Sequence, residues 1–451
     1  MEIITKANDG ILQILKRYQK TVSDVRLMKY CIQTPVEDGV LLLNVLTREM
    51  VKLTWAEYEH MGNIREMKDR WFLVPVDTNE KELVDLVRWV LETRRKEPEY
   101  ITQYTIFPTT DCNARCFYCF ELGRSRVPMS EETAHKVVRY IKEHCGGKKV
   151  HISWFGGEPL FNQSAIDSIC DGLCREGIEF TSSAVSNGYL FDAQTVNKAV
   201  ERWNLKRVQI SLDGTEQVYN RAKAYIYREG SPYQVVLENM GRLLNAQVGI
   251  AVRLNMDLYN ANDLLTLVEE LAHRFEGKKG LQIYAHHLFD GNRPMAESHT
   301  DEEWDLRDEA MRSLEAAIEG YGLVGKAGIS KNIKLNHCMA DSGSAVTITP
   351  NGDIGLCEHF SEDQFIGHID SAGFDTAKIR DWKEKAREHP DCIDCAHYPD
   401  CVMLKNCPNT GLCFRQLRQE KLRKVERQML NEYNMWKNRE TAEQAEEDAT
   451  C

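Results

Sequence analysis

No run of about 18 apolar residues occurs anywhere in the 451-residue chain, which excludes a transmembrane helix. The opening residues, MEIITKANDGILQILKRYQK, intersperse acid and base and carry no small-residue cleavage site. No secretory signal is therefore expected, and a cytoplasmic location is. With 57 basic against 69 acidic residues the net charge is −12, which argues against binding a phosphate backbone and keeps the chain soluble. There is no internal repeat of fixed period. At this length, with 42% hydrophobic residues, two or three domains with substantial cores are expected.

Cysteine is what the chain does have, and it is unevenly placed. Of 15 cysteines, three lie within 112–119 and seven between 338 and 413. An odd number without a secretion signal argues against a disulfide framework, and clustered thiols in a reducing compartment point to metal. Cys31, Cys145, Cys170, Cys174 and Cys451 fall outside both groups. Cys170 and Cys174, four residues apart on one helix face, are expected to be buried packing residues.

The order of elements divides the chain into three parts. Residues 1–97 predict a small α+β module. It has a helix at about 8–22, strands at 28–34 and 39–46, and a helix at 55–68, then the strand WFLVPV and a helix at 79–95. Within it, GVLLLNVLTREMVKL predicts a hairpin turning at Thr47-Arg48. Over 98–325, the strand-like runs YTIFPT, VHISWF, FTSSAVS, RVQISL, IAVRLNM and LQIYAHHLF alternate with helical stretches near 130–144, 164–176, 192–202, 234–246 and 261–276. A sixth helix, DEEWDLRDEAMRSLEAAIEGY, follows. The alternation predicts an α/β fold with parallel strands and helices outside. Six units fall short of a closed barrel, so a partial (β/α)6 TIM-like barrel with its chemistry at the C-terminal strand ends is expected. Residues 326–451 are cysteine-rich and loop-rich, which calls for a metal staple. They end in a charged helix at about 414–440 and a frayed acidic tail.

The segment TTDCNARCFYCFE sets Cys112, Cys116 and Cys119 in a C-x3-C-x2-C pattern directly after the first barrel strand. Three thiolates on one loop can hold three irons of a [4Fe–4S] cluster and leave the fourth iron open. A zinc site would want four protein ligands or His and carboxylate. The pattern, with Tyr118 just before the last cysteine, resembles the signature of radical S-adenosylmethionine (SAM) enzymes. The resemblance implies that SAM chelates the open iron and is reductively cleaved to methionine and a 5′-deoxyadenosyl radical, which abstracts a substrate hydrogen. WFGGEP, with Gly156, Gly157 and Glu158, resembles the family motif that meets the SAM amino group. Taken alone, it also reads as a strand-ending turn with Glu158 as a helix cap. SNG (Ser186, Asn187) and SLDG (Ser211) resemble segments that meet the ribose and carboxylate of SAM. Arg253, on strand five, is a candidate for the SAM carboxylate because a guanidinium matches a carboxylate fork.

Farther on, Cys338, Gly352, Cys357, Cys392, Cys395, Cys401, Cys407 and Cys413 follow in an order that resembles the SPASM extension of peptide-modifying radical SAM enzymes. By that resemblance Cys392, Cys395, Cys401 and Cys413 complete one auxiliary [4Fe–4S] cluster. Cys338, Cys357 and Cys407 hold another with one iron lacking a cysteine, for three clusters in all. His337 adjoins Cys338, but adjacent residues rarely face one metal. Structural zinc is the competing explanation for C-x2-C. The hairpin–helix–strand–helix order of residues 1–97 resembles a winged-helix-like domain that grips the leader of a precursor peptide by strand addition.

Together these resemblances imply a peptide maturase. It would install an intramolecular crosslink, above all a cysteine thioether of the sactipeptide or ranthipeptide type, in a ribosomally made precursor. A ferredoxin- or flavodoxin-type reductant would supply electrons. The alternatives are formylglycine formation in a sulfatase, for which Asp257 and Asp290 lie near strand ends, carbon–carbon crosslinking, and epimerisation. A non-catalytic peptide-binding or iron-sensing protein is the reading from outside enzymes.

Overall fold

A computed structural model describes all residues except 20–23, 120, 122–124, 228, 289–298, 326, 360–363, 386–389, 408–412 and 451, and excepting the side chains of 390 and 442–450. Asp290 and Cys451 therefore lie outside the described residues. The chain opens with β1 (Glu2–Thr5), a strand the sequence pattern does not announce, and α1 (Asp9–Leu15), whose N-cap Asn8 accepts from Ile11 N. Next come β2 (Val25–Leu27), β3 (Cys31–Val36), β4 (Gly39–Asn44) and β5 (Met50–Thr54). The hairpin between β4 and β5 forms as its sequence predicts. Asn44 Oδ1 accepts from the N–H groups of Leu46 and Thr47, and Arg48 takes a left-handed φ of 65°. The helix expected over 55–68 instead breaks at Met61–Asn63 into α2 (Trp55–Glu59) and α3 (Arg65–Asp69). β6 (Leu73–Pro75) and α4 (Glu80–Arg94) complete this part.

Strands β1-β5-β4-β3 form an antiparallel sheet, and β2 pairs separately with β6. All six residues of GVLLLN are buried. A sheet with one wet face alternates apolar and polar, so a continuous apolar strand needs both faces covered. One face packs on α1 and α4 through Ile11, Leu15, Val84 and Val87. The other packs on the chain's last helix through Met429 and Tyr433.

The middle of the chain supplies β7 (Gln103–Thr109), α5 (Glu131–His144), β8 (Val150–Gly156), α6 (Gln163–Arg175), β9 (Phe180–Ser186) and α7 (Ala193–Glu201). It continues through β10 (Leu205–Leu212), α8 (Glu216–Lys223), α9 (Pro232–Asn245), β11 (Gly249–Met256), α10 (Ala261–Arg274), β12 (Leu281–His287) and α11 (Asp301–Gly320). The six strands β7 to β12 are parallel and in sequence order, so the partial-barrel expectation stands. The short helix α8 is absent from the sequence expectation. Cys170 is buried in α6, whereas Cys174 is exposed, so only one of that pair is a packing residue.

The cysteine-rich part is less separate than its composition suggests. Its strand β13 (Ala345–Ile348), buried throughout, pairs in parallel with β7, and β14 (Asp353–Gly355) and β15 (Gly367–His368) extend the same sheet to nine strands. After α12 (Thr376–Lys383), α13 (Arg415–Thr450) runs well beyond the expected 440. It is tied to α11 by Arg423–Asp308 and Arg427–Glu315 ion pairs of 2.6 and 2.7 Å. The N-terminal part is fastened to the C-terminal part by Arg88, fully buried, which donates to the carbonyls of Lys334 and Pro399. Tyr398 also donates to Asp85 at 2.6 Å.

Candidate active site

At the C-terminal ends of β7 to β11 lies a cavity of about 490 Å³. Cys112, Cys116, Tyr118 and Cys119 form one wall, Gly156 and Gly157 the next, and Ser186, Asn187, Ser211, Lys223, Arg253 and Asn255 line its depth. Glu358 and His359, beside Cys357, close the far side. The cysteine loop and the β8 end meet backbone to backbone. A Cβ on Gly157 would lie 2.4 Å from the Asp111 carbonyl, and one on Gly156 would lie 2.3 Å from that of Thr109. Only glycine allows this approach, and Gly156 also has φ 113°.

Glu158 does not line the cavity. Its buried carboxylate accepts from the Ser186 hydroxyl at 2.9 Å, from Asn187 N at 2.8 Å and from Leu160 N at 3.2 Å. It locks the ends of β8 and β9 together and caps the turn at Pro159–Asn162. Burial raises its pKa to about 7 despite these donors. Asn187 donates to Asn113 Oδ1 at 2.6 Å and reaches Cys112 Sγ at 3.8 Å.

The residue that sequence patterns miss is Lys223, at the end of α8. It is 2% exposed, donates to Ser211 at 2.7 Å and to Tyr118 at 2.8 Å, and pairs with Asp213 at 3.1 Å. Burial by itself lowers an ammonium pKa, but Asp213, Tyr118 and Cys116 together outweigh it and hold Lys223 charged. The available signal was Thr215 as an N-cap ahead of an eight-residue amphipathic stretch. Arg253, by contrast, reaches His286 at 3.2 Å and leaves its buried Nε without a partner. Both carboxylate oxygens of Asp257 accept from Arg307 Nη2, at 3.1 and 3.2 Å.

Residues 106–271 match the model of the radical SAM superfamily. This is a radical SAM domain. The family uses a [4Fe–4S] cluster and SAM. Over 274 residues, 56% of this chain and 79% of its relative, the chain is 27% identical to a GTP 3′,8-cyclase of Clostridium perfringens. Native anSMEcpe with bound AdoMet and Cp18Cys peptide superposes with TM-score 0.55 at 14% identity, covering 75% of this chain and 99% of that one. Streptococcus suis SuiB bound to precursor peptide SuiA gives TM-score 0.50 at 13% identity, covering 86% and 99%. At these identities the two structures share the fold. The cysteine-rich segment beyond the radical SAM domain is consistent with a SPASM extension.

The donor set of the radical SAM domain suits the cluster. Burial pushes Cys112 up to about 12 and also raises Cys116 and Cys119, so a compensating cation is needed for three thiolates there. Among the described residues no three His, Cys, Asp or Glu side chains converge on a single ion. Thiolates that bind separate irons of one cluster do not converge on a point either. In the C-terminal part, burial raises Cys338 to about 11, and Cys407 lies near enough to add to it. Cys357 is raised by burial and then by Glu358, with smaller contributions from Cys338 and Cys407. Cys395 is raised by burial, with Cys401 and Cys413 as neighbours. Cys392 and Cys395 both pack against the apolar cluster of the N-terminal part.

No helix among the described residues is long and apolar enough to cross a membrane.

Proposed function

We propose that this chain is a radical SAM peptide maturase that forms a cysteine thioether crosslink in a ribosomally made precursor peptide. The observation that carries the reading is the single cavity walled on one side by the Cys112–Cys116–Cys119 loop and on the other by Glu358 and His359 next to Cys357. In this reading Cys112, Cys116 and Cys119 hold the SAM-binding cluster. Cys392, Cys395, Cys401 and Cys413 hold one auxiliary cluster, and Cys338, Cys357 and Cys407 hold a second. Gly156 and Gly157 offer backbone to the SAM amino group. Lys223, with Ser211 and Asn187, faces the carboxylate and ribose, and Tyr118 is pinned beneath by its hydroxyl. Arg253, the candidate for the SAM carboxylate read from the sequence, lines the same cavity.

When bound, the cluster and SAM supply a 5′-deoxyadenosyl radical. The peptide would lose one hydrogen atom to it and the cysteine thiol a proton, a C–S bond would form, and the one electron released would pass to the auxiliary clusters that the C-terminal cysteines would hold. The setting is the reducing cytoplasm, with a ferredoxin- or flavodoxin-type reductant. A peptide substrate is supported by the fold shared with anSMEcpe, which holds the Cp18Cys peptide, and with SuiB, which holds SuiA. Both faces of the N-terminal sheet are covered, so the leader would reach that module at a strand edge rather than across a face.

Formylglycine formation is less well supported, because Asp257 is committed to Arg307 and is not a free base. Asp290, the other carboxylate considered for that role, lies outside the described residues.

The test is iron, sulfide and 5′-deoxyadenosine on anaerobically reconstituted protein given dithionite and SAM. About twelve irons per chain, the sum of three [4Fe–4S] clusters, with 5′-deoxyadenosine supports the reading. About four irons with zinc reduces the C-terminal part to a structural role. A peptide product short of two hydrogens and one free thiol identifies the thioether, an aldehyde identifies formylglycine, and 5′-deoxyadenosine made only with GTP would replace the peptide reading.

A further inference from the structure

Four Lys and Arg side chains line the cavity among the described residues, and three of them are matched within the chain. Arg115 and Arg126 share Asp111 at 3.9 and 3.5 Å, and Lys223 pairs with Asp213 at 3.1 Å. Arg253 enters no ion pair among the described residues. Its one polar contact is Nη2 to His286 Nδ1 at 3.2 Å, and its Nε is buried without a partner. That contact gives the guanidinium no acceptor. Burial, with Arg253 adding to it, holds His286 at about 4, so its ring is neutral at pH 7. A neutral imidazole carries one N–H. Nδ1 lies 2.7 Å from the His287 carbonyl oxygen, so Nδ1 holds the proton and donates it there. A partly desolvated cation without an acceptor is unfavourable until a ligand brings one.

The surroundings add a donor. Gln209, in the same cavity, accepts from the Tyr284 hydroxyl on Oε1 at 2.7 Å, so its NH2 is the end left for a ligand. Burial raises the Tyr284 pKa, and Arg253 is close enough to oppose that rise, which puts the guanidinium beside this pair. A planar guanidinium with an amide NH2 next to it suits a carboxylate. Two carboxylates would enter this cavity, that of SAM and that of a peptide. The SAM carboxylate, in the radical SAM reading, chelates the open iron at the cysteine loop. Ser211, opposite Arg253 in the strand register, accepts from Lys223 at 2.7 Å, and Lys223 donates to Tyr118 of that loop. Arg253 leans the other way, across β11 toward His286 on β12.

We propose that Arg253, with Gln209 beside it, receives an Asp or Glu carboxylate of the substrate peptide, at or next to the residue that loses its hydrogen. This rests on the peptide-maturase reading and adds a substrate class to it, a precursor whose crosslinked stretch carries an acidic side chain. The acidic residue stands close to the reacting one because Arg253 and the cysteine loop share one cavity of about 490 Å³. The net charge of −12 gives an acidic peptide no long-range attraction, so selection falls on this contact.

The experiment uses the reconstituted full chain loaded with SAM and two synthetic probes, acetyl-Gly-Cys-Gly-Asp-Gly-amide and its Asn counterpart, which differ only in that charge. Calorimetry measures the Kd of each with wild type, Arg253→Gln and Arg253→Lys. Wild type is expected to bind the Asp probe about ten-fold more tightly, and Arg253→Gln to bind the two alike. Arg253→Lys, which keeps the charge without the two-pronged match, is expected to keep part of the preference. It carries the comparison if Arg253→Gln does not fold. A wild type that binds both probes alike, or neither, overturns the proposal, as does a preference undiminished in Arg253→Gln. SAM affinity, measured without peptide, separates the two carboxylates. A SAM Kd weakened about ten-fold in Arg253→Gln assigns the arginine to SAM and also overturns the proposal. Wild-type 5′-deoxyadenosine under dithionite judges the underlying reading. Its absence sinks that reading, while the Asp-to-Asn ratio still judges the contact.

Discussion

The Tyr118 hydroxyl lies 2.7 Å from each carboxylate oxygen of Asp213, inside the loop that carries Cys116 and Cys119. Lys223 donates to the same hydroxyl at 2.8 Å and pairs with the same carboxylate at 3.1 Å. Asp213 and Lys223 are buried and Tyr118 is half-buried, so the group balances only as a set. Lys223→Met leaves Asp213 as an uncompensated buried charge and is expected to destabilise the chain by about 3–5 kcal/mol. Lys223→Met/Asp213→Asn is expected to recover part of that loss. Urea denaturation of the two variants and wild type measures both, and full loss in the double variant would contradict the pairing.

Gly157→Ala places a Cβ 2.4 Å from the Asp111 carbonyl, which no rotamer change can relieve. The cysteine loop must move outward, and SAM affinity is expected to fall by about ten-fold or more, since small misplacements at a site are amplified. Gly320→Ala, with nothing within 4 Å, serves as the neutral control. SAM binding followed by calorimetry distinguishes them.

Replacing Cys112, Cys116 and Cys119 together by Ala is expected to abolish 5′-deoxyadenosine while auxiliary iron remains. Unchanged 5′-deoxyadenosine from that variant would end the radical SAM proposal.

His286 and His287 are held below the usual histidine range, at about 4 and about 3. Burial is the main cause for both. Arg253 adds to it at His286, and His286 and Arg307 add to it at His287. Unfolded histidine titrates near 6.5, so between about pH 6.5 and 3 the unfolded chain binds more protons than the native one. Their contribution is whole above about pH 6.5 and is lost as pH falls, by a few kcal/mol in order of magnitude. Glu158, raised to about 7 by burial, has the opposite sign and costs stability as pH rises from its unfolded value through 7. His287→Gln is expected to flatten the acid limb of stability against pH, and denaturation midpoints at pH 7.5, 6 and 5 test it.

Tyr433→Ala removes the helix side of the two-sided N-terminal sheet, where Tyr433 packs with Met429 on Ile32, Leu41 and Leu43. A loss of about 3 kcal/mol is expected from truncating a buried aromatic side chain. A change below the scatter of the denaturation curve would mean that α13 does not cover the sheet in solution.

What the sequence determined by itself is whatever local spacing encodes. C-x3-C-x2-C places three thiols on one loop because the loop is short, and GGEP is legible as a strand end because glycines and a proline punctuate an apolar run. The six barrel strands are legible because each alternates with a helix-period stretch. The hairpin around Thr47-Arg48 is legible because turn residues divide two apolar runs. The tertiary structure alone decided what depends on partners far along the chain. GVLLLN shows two buried faces only once α13, nearly 400 residues later, is in place. β13 joins the barrel sheet by pairing with β7 across 242 positions, Ala345 opposite Gln103. Lys223 gains its role only where α8 turns back toward Tyr118 and Ser211, and Asp257 loses one to Arg307. Backbone pairing and buried charge compensation are settled by which groups meet after folding, and no window of neighbouring residues contains that information.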